Sequence, residues 1–96
     1  MGRIKPLVDR GISFPAAIKA VLGKMTINEF AAFEGSRLVR VPATAVSSVI
    51  NGSTPYRYDN VRQKLAIFFE EDREWIDEQC DRMRQEAVRN GTEAVA

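Results

Sequence analysis

Thr44, Ser47, Ser48 and Asn51 recur at i, i+3, i+4 and i+7 within the stretch ATAVSSVIN. At ~100° per residue this gathers four short hydrogen-bonding side chains on one side of a helix, with Val46, Val49 and Ile50 on the other. A helix entering the major groove of a duplex must bring its backbone close and offer small donors and acceptors to base edges, which Ser, Thr and Asn allow. The same spacing equally describes a small surface helix whose polar side faces water. Little else in the chain suggests chemistry. Histidine is absent and Cys80 is the single cysteine, so neither a disulfide framework nor a Cys/His metal site fits within one chain. Cys80 reads as a buried thiol packing as a small hydrophobe. No glycine-rich phosphate loop occurs, and the acidic pairs Glu70-Glu71 and Asp77-Glu78 read as a solvated helix face. The expectation is of a protein that is not an enzyme and uses no metal or cofactor.

The elements that must hold this stripe can be read around it. Thr26 and Glu29 form a capping box with Met25 set to staple on Phe30, so a helix starts at residue 27; Ile27, Phe30 and Ala31 give its buried face, and Gly35 suits its end. The stripe's own helix starts near Pro42 and stops at Gly52. Upstream, Ser13-Phe14-Pro15 opens a scaffold helix with Ala17, Ile18, Val21 and Leu22 inward, ending at Gly23. Residues 1–12 read as a partly ordered basic arm carrying Arg3, Lys5 and Arg10. Downstream, Gly52 to Pro55 is a loop followed by Tyr56, Arg57 and Tyr58; Tyr56 and Arg57 are candidates to lie on a sugar-phosphate backbone, and Tyr58 to pack on the core. Asp59 or Asn60 caps a helix with Val61, Leu65 and Phe68 inward. Leu65 to Phe69 is more apolar than one stripe needs, which points to a contact with another element or another chain. Residues 70–90 predict a long acidic helix, kinked near Glu70–Asp72. Its seam of Ile76, Cys80, Met83 and Ala87 follows an a/d spacing, with Trp75 at the edge. Together with Phe68 and Phe69, this seam is the expected dimer interface. Residues 91–96 are an expected disordered tail.

The segment VPATAVSSVING, from Val41 to Gly52, resembles the recognition-helix signature of the lambda-repressor-like (Cro/cI, XRE-type) helix-turn-helix family, in which Val-Ser-x-x-Ile-Asn-Gly closes the second helix of the motif. A partial similarity to lac-repressor-type headpieces runs through Thr26-Ile27, Phe30-Ala31, Ala45-Val46-Ser47 and Val49-Ile50-Asn51, and extends weakly to Val61–Leu65. Together these cover about residues 13–69. The resemblance implies an all-α, compact four- to five-helix domain with a long C-terminal helix added, and DNA base reading by Ala43, Thr44, Ser47 and Ser48. None of these is an Arg or Gln capable of bidentate contacts worth ~1–3 kcal/mol each, so direct readout is expected to be modest. Phosphate contacts are expected from Asn51, Tyr56, Arg57 and Arg62. One departure is plain: Ser36 to Arg40 lengthen the turn between the two helices, separating Gly35 from Val41. If Leu38 or Val39 anchors that loop, Arg37 and Arg40 can both face the duplex and add phosphate contacts or minor-groove readout.

Charge divides along the chain. Residues 1–69 hold ten Lys/Arg against four Asp/Glu, residues 70–96 four against nine, while the whole carries only +1. That split suits one DNA-facing end and one far end. Ninety-six residues make one modest core without room for a separate effector module, and the 45% apolar and 28% charged content is that of a globular protein. No signal peptide or membrane span is read, so the expected compartment is cytoplasmic. The expected partner is double-stranded DNA, bound as an inverted repeat by a homodimeric transcriptional regulator, a repressor by type. Two alternatives stand beside it: a DNA-binding antitoxin whose acidic C-terminal helix occupies a toxin, and a protein-interaction module on the same frame.

Overall fold

The structure, a computed structural model, describes residues 2–35 and 37–90. Six helices and no strand occur among these residues: α1 Lys5–Asp9, α2 Phe14–Leu22, α3 Ile27–Ala32, α4 Ala43–Asn51, α5 Asp59–Phe68 and α6 Arg73–Arg89. None is long and apolar enough to cross a membrane. The all-α class is as expected. The expected disorder of 91–96 lies outside the described residues.

Local signals fix several boundaries. Ser13 Oγ accepts from the amide of Ala16 to open α2, and the Thr26/Glu29 capping box closes in both directions to open α3. At the end of α4, Gly52 takes φ 70° while Ser53 N–H reaches back to the Ser48 carbonyl at 2.9 Å, a Schellman closure. The inward faces of α2 to α6 then meet in one core built on Phe14, Ile18, Phe30, Val46, Ile50, Val61, Leu65, Phe69, Ile76 and Cys80.

Four expectations are corrected. The expected arm of residues 1–12 is, over the described residues 2–12, no free arm: it contains α1, buries Ile4, and is captured by the α5–α6 turn. There the Glu71 carboxylate accepts from the amides of Ile4 and Lys5 at 2.7 Å, and Arg3 N–H donates to the Phe69 carbonyl. The expected kink at Glu70–Asp72 is a full break; Glu70 takes φ 55° and Glu71 N–H closes on Ala66, so a non-glycine residue makes the same left-handed stop as Gly52. Helix α3 ends at Ala32, short of Gly35, because Phe33 turns extended. The seam of α6 folds onto its own domain. Phe69, Ile76 and Cys80 are fully buried within one chain, so they are spent as core and cannot also join two copies. Trp75 lies edge-on to Phe14 at 6.1 Å, while Phe68, Met83 and Ala87 are half-buried. The surplus of apolar residues at 65–69 is absorbed the same way, by an aromatic cluster with α3 in which Phe30 stacks on Phe69 and meets Phe68 edge-on.

Candidate nucleic-acid interface

Helix α4 is buried on one side by Ala45, Val46, Val49 and Ile50, and its other side is open. Thr44, Ser47 and Asn51 are exposed; Ala43 and Ser48 are half-buried at the edges of that side. The acidic helix α6 does not cover the stripe. It meets α4 at Gly52, where an added Cβ would fall on the carbonyl of Met83 and the amide of Arg84. Asn51 Nδ2 donates to the Ser47 carbonyl at 2.8 Å, which commits one of its two amide hydrogens to its own helix and leaves the other for a ligand.

The lengthened connection between α3 and α4 is closed rather than loose. Val41 N–H donates to the Ala31 carbonyl at 2.9 Å, and Gly35 and Leu38 exchange backbone hydrogen bonds across its tip. Lys64 of α5 reaches into it, 2% exposed, and donates to the carbonyls of Ala31, Phe33 and Val39 at 2.9, 2.7 and 2.7 Å, with Nζ 5.3 Å from the Phe30 ring centroid. Burial pulls its pKa below the ordinary lysine value; Glu34 opposes that shift and Arg40 adds to it. Leu38 is half-buried, so the loop does have an apolar anchor, but Val39 is 56% exposed. The two arginines of the turn do not share a groove. Arg40 lines one with Asn28, Ala32, Pro42 and Ala43, at the start of α4. Arg37 lines another with Gln63, Ile67 and the acidic turn Glu70–Asp72.

Of the residues past α4, Tyr56 is open to solvent. Tyr58 packs edge-on to Tyr56 at 6.0 Å and is not part of the core, against expectation. Arg62, expected on phosphate, is 4% exposed and faces inward. It holds Asp77 at 3.2 Å and Asp81 at 2.9 Å and donates to the Arg57 carbonyl at 3.0 Å. Burial alone would lower its pKa, yet the bonds to Asp81 and Asp77 outweigh it and the net shift is upward. Asp77, together with Asp59, also draws in Arg73, at 3.0 Å from Asp77 and 2.9 Å from Asp59, and Arg57, at 3.5 Å from Asp77 and 3.4 Å from Asp59. Arg57 is thus exposed over half its side chain but already partnered. For Asp77, burial raises the pKa, and the hydrogen bonds from Arg73 and Arg62 more than reverse it. Cys80, beside this network, has its thiol pushed up to about 12, chiefly by burial, which leaves it unreactive. No cluster of His, Cys, Asp and Glu able to hold a metal occurs among the described residues. No family model, curated protein or solved structure matches the chain.

Lys64 and the partners of Arg62 are what sequence reasoning missed. A lysine or arginine between apolar residues on α5 has the pattern of a solvated position. The one available signal was spacing: Lys64 is three residues from Val61 and adjacent to Leu65, on the inward arc of α5.

Proposed function

We propose that the protein binds double-stranded DNA through α4, as a sequence-specific transcriptional regulator. One observation carries this reading: the side of α4 that bears Thr44, Ser47 and Asn51 is open, on a helix whose other side and C-terminal end are fixed by the core and by α6. A rigid rod with small hydrogen-bonding groups outward suits a major groove. The resemblance of Val41 to Gly52 to recognition helices supports the same assignment, with Ala43 and Ser48 at the margins of the contact. This reading assigns the exposed Arg40 and Tyr56 to phosphates; Arg57 can reach them only by leaving Asp59 and Asp77.

Selection of bound sequences from random duplex DNA tests this. The wild-type chain is expected to enrich a short motif, and Thr44→Ala/Ser47→Ala to bind that motif about tenfold more weakly at unchanged fold stability. Arg40→Ala is expected to lower the salt slope of binding by about one, and Arg37→Ala to leave it alone. Failure to enrich any sequence would sink the reading. A palindrome among the selected sequences is the mark of two copies acting together, and its half-site spacing gives their geometry. The pair would meet outside the seam of Phe69, Ile76 and Cys80, which the fold has used.

A further inference from the structure

We infer that Lys64 is a positioning residue for α4: it ties Ala31 and Phe33 to Val39 and so fixes the direction in which the exposed stripe is presented. This inference rests on the reading of α4 as the DNA-facing helix. An ammonium group has three donors and no acceptor, and Lys64 places all three on carbonyls from both arms of the connection. Ala31 lies in the last turn of α3, Phe33 is the first extended residue after it, and Val39 belongs to the strand of chain returning to α4. Gly35 and Leu38 join the two arms at the tip, and below them Lys64 bridges the carbonyls of Phe33 and Val39, to which no other backbone amide outside the helices donates among the described residues. The amide of Val41 then closes the ring by donating to the same Ala31 carbonyl that Lys64 uses.

A short turn between two helices sets their angle by having few free dihedrals; a longer one leaves the angle open and adds ordering entropy to any binding event. Lys64 removes that freedom from inside the core. Lys64 belongs to α5 and its Nζ stands over the Phe30 ring of α3, so the connection is referenced to α3 and α5 together and not merely folded on itself. The effect on a ligand is preorganisation: the groups of α4 and Arg40 are already in place when contact is made. Lys64 touches no groove itself and acts only through the backbone it holds.

Lys64→Met keeps the length of the stem and removes the donors. By hydrogen exchange, the amide of Val41 and its neighbours in 33–41 are expected to exchange at least about tenfold faster in the variant, while those of α2 and α6 keep their rates. The ratio of affinities for the selected motif and for random duplex is expected to fall about tenfold, with the salt slope unchanged because no phosphate contact is lost. Unchanged exchange in 33–41, or a uniform rise throughout the chain, overturns the inference. Should the wild-type chain select no sequence, the α4 reading and the positioning role fall together, yet a local loss of protection would still show the clamp to exist. If the variant does not fold, the wild-type ammonium resonance of Lys64 decides: a signal protected from solvent exchange is expected, and exchange as fast as that of surface lysines overturns the clamp.

Discussion

Two interhelical joints of this molecule are made from the same kinds of residue and work in opposite ways. Between α3 and α4 one buried amine holds three neutral carbonyls. Between α5 and α6 three guanidiniums share three carboxylates, and all but Arg62 keep part of their surface in water. The first joint is concentrated: beside the backbone bonds of Val41 and of Gly35 with Leu38, one side chain carries its remaining polar contacts. The second is distributed: when one partner goes, others and solvent remain for the group left behind. Charge count therefore says little about how much each joint matters, and burial together with the number of alternative partners says most.

Substitutions can break this contrast or sharpen it. The largest effect is expected for Lys64→Ala, which removes three hydrogen bonds and the buried stem near Phe30; a loss of about 2–4 kcal/mol in urea unfolding is expected. Arg62→Met should cost less, about 1–2 kcal/mol by the same measurement, because Asp77 keeps Arg73 and Asp81 is half-exposed. Equal costs for the two would erase the distinction. Asp77→Asn is expected to cost about 1 kcal/mol at neutral pH, and the cost should depend on pH in a defined direction. Asp77 titrates lower in the folded chain than its ordinary value, so its contribution is complete above that ordinary value of 3.8 and is lost as the pH falls through the folded one. The gap between Asp77→Asn and wild type should accordingly close on the acid side, which unfolding measured at a series of pH values will show. Glu70→Gly acts at the turn that links α5 to α6. Relief of the left-handed backbone there is expected to raise stability by about 0.5–1 kcal/mol, read as a higher melting temperature. Smallest of all is Arg57→Ala, within about 0.5 kcal/mol, since its pairs are long and its side chain is more than half exposed.

What the sequence disclosed and what it withheld follow one physical line. The capping box of Thr26 and Glu29, the glycine stop at Gly52 and the two-sided pattern of α4 are local, and each took the form expected of it. The same is true of the exposed stripe, which needed only helical periodicity to be placed. The rest depended on residues distant in the chain. Helix α1 is capped by Glu71, 66 residues beyond Lys5, a partner that no local window contains. Ile76 and Cys80 have spacing that suits a seam between two chains and a seam within one equally well, and the choice was made by the break at Glu70 that lets α6 turn back. Arg62 was expected on phosphate and Lys64 drew no reading, because the acceptors of both lie on other elements. Phosphate contact by Arg62 was therefore the most misleading inference, and the role of Lys64 the one most hidden.

Gly52 leaves a last consequence for anyone reading variants of this chain. It stands beside the stripe, directly after Asn51, where a residue intolerant of change invites the conclusion that it touches a ligand. Yet its backbone is left-handed and the main chain of Met83 and Arg84 occupies the place of any side chain, so even a methyl group is refused there on mechanical grounds. A mutational scan will find the position fixed whatever α4 meets outside. Intolerance at 52 thus reports a seal between two helices, and it is exposed positions such as Thr44, Ser47 and Asn51 that can testify about what α4 meets.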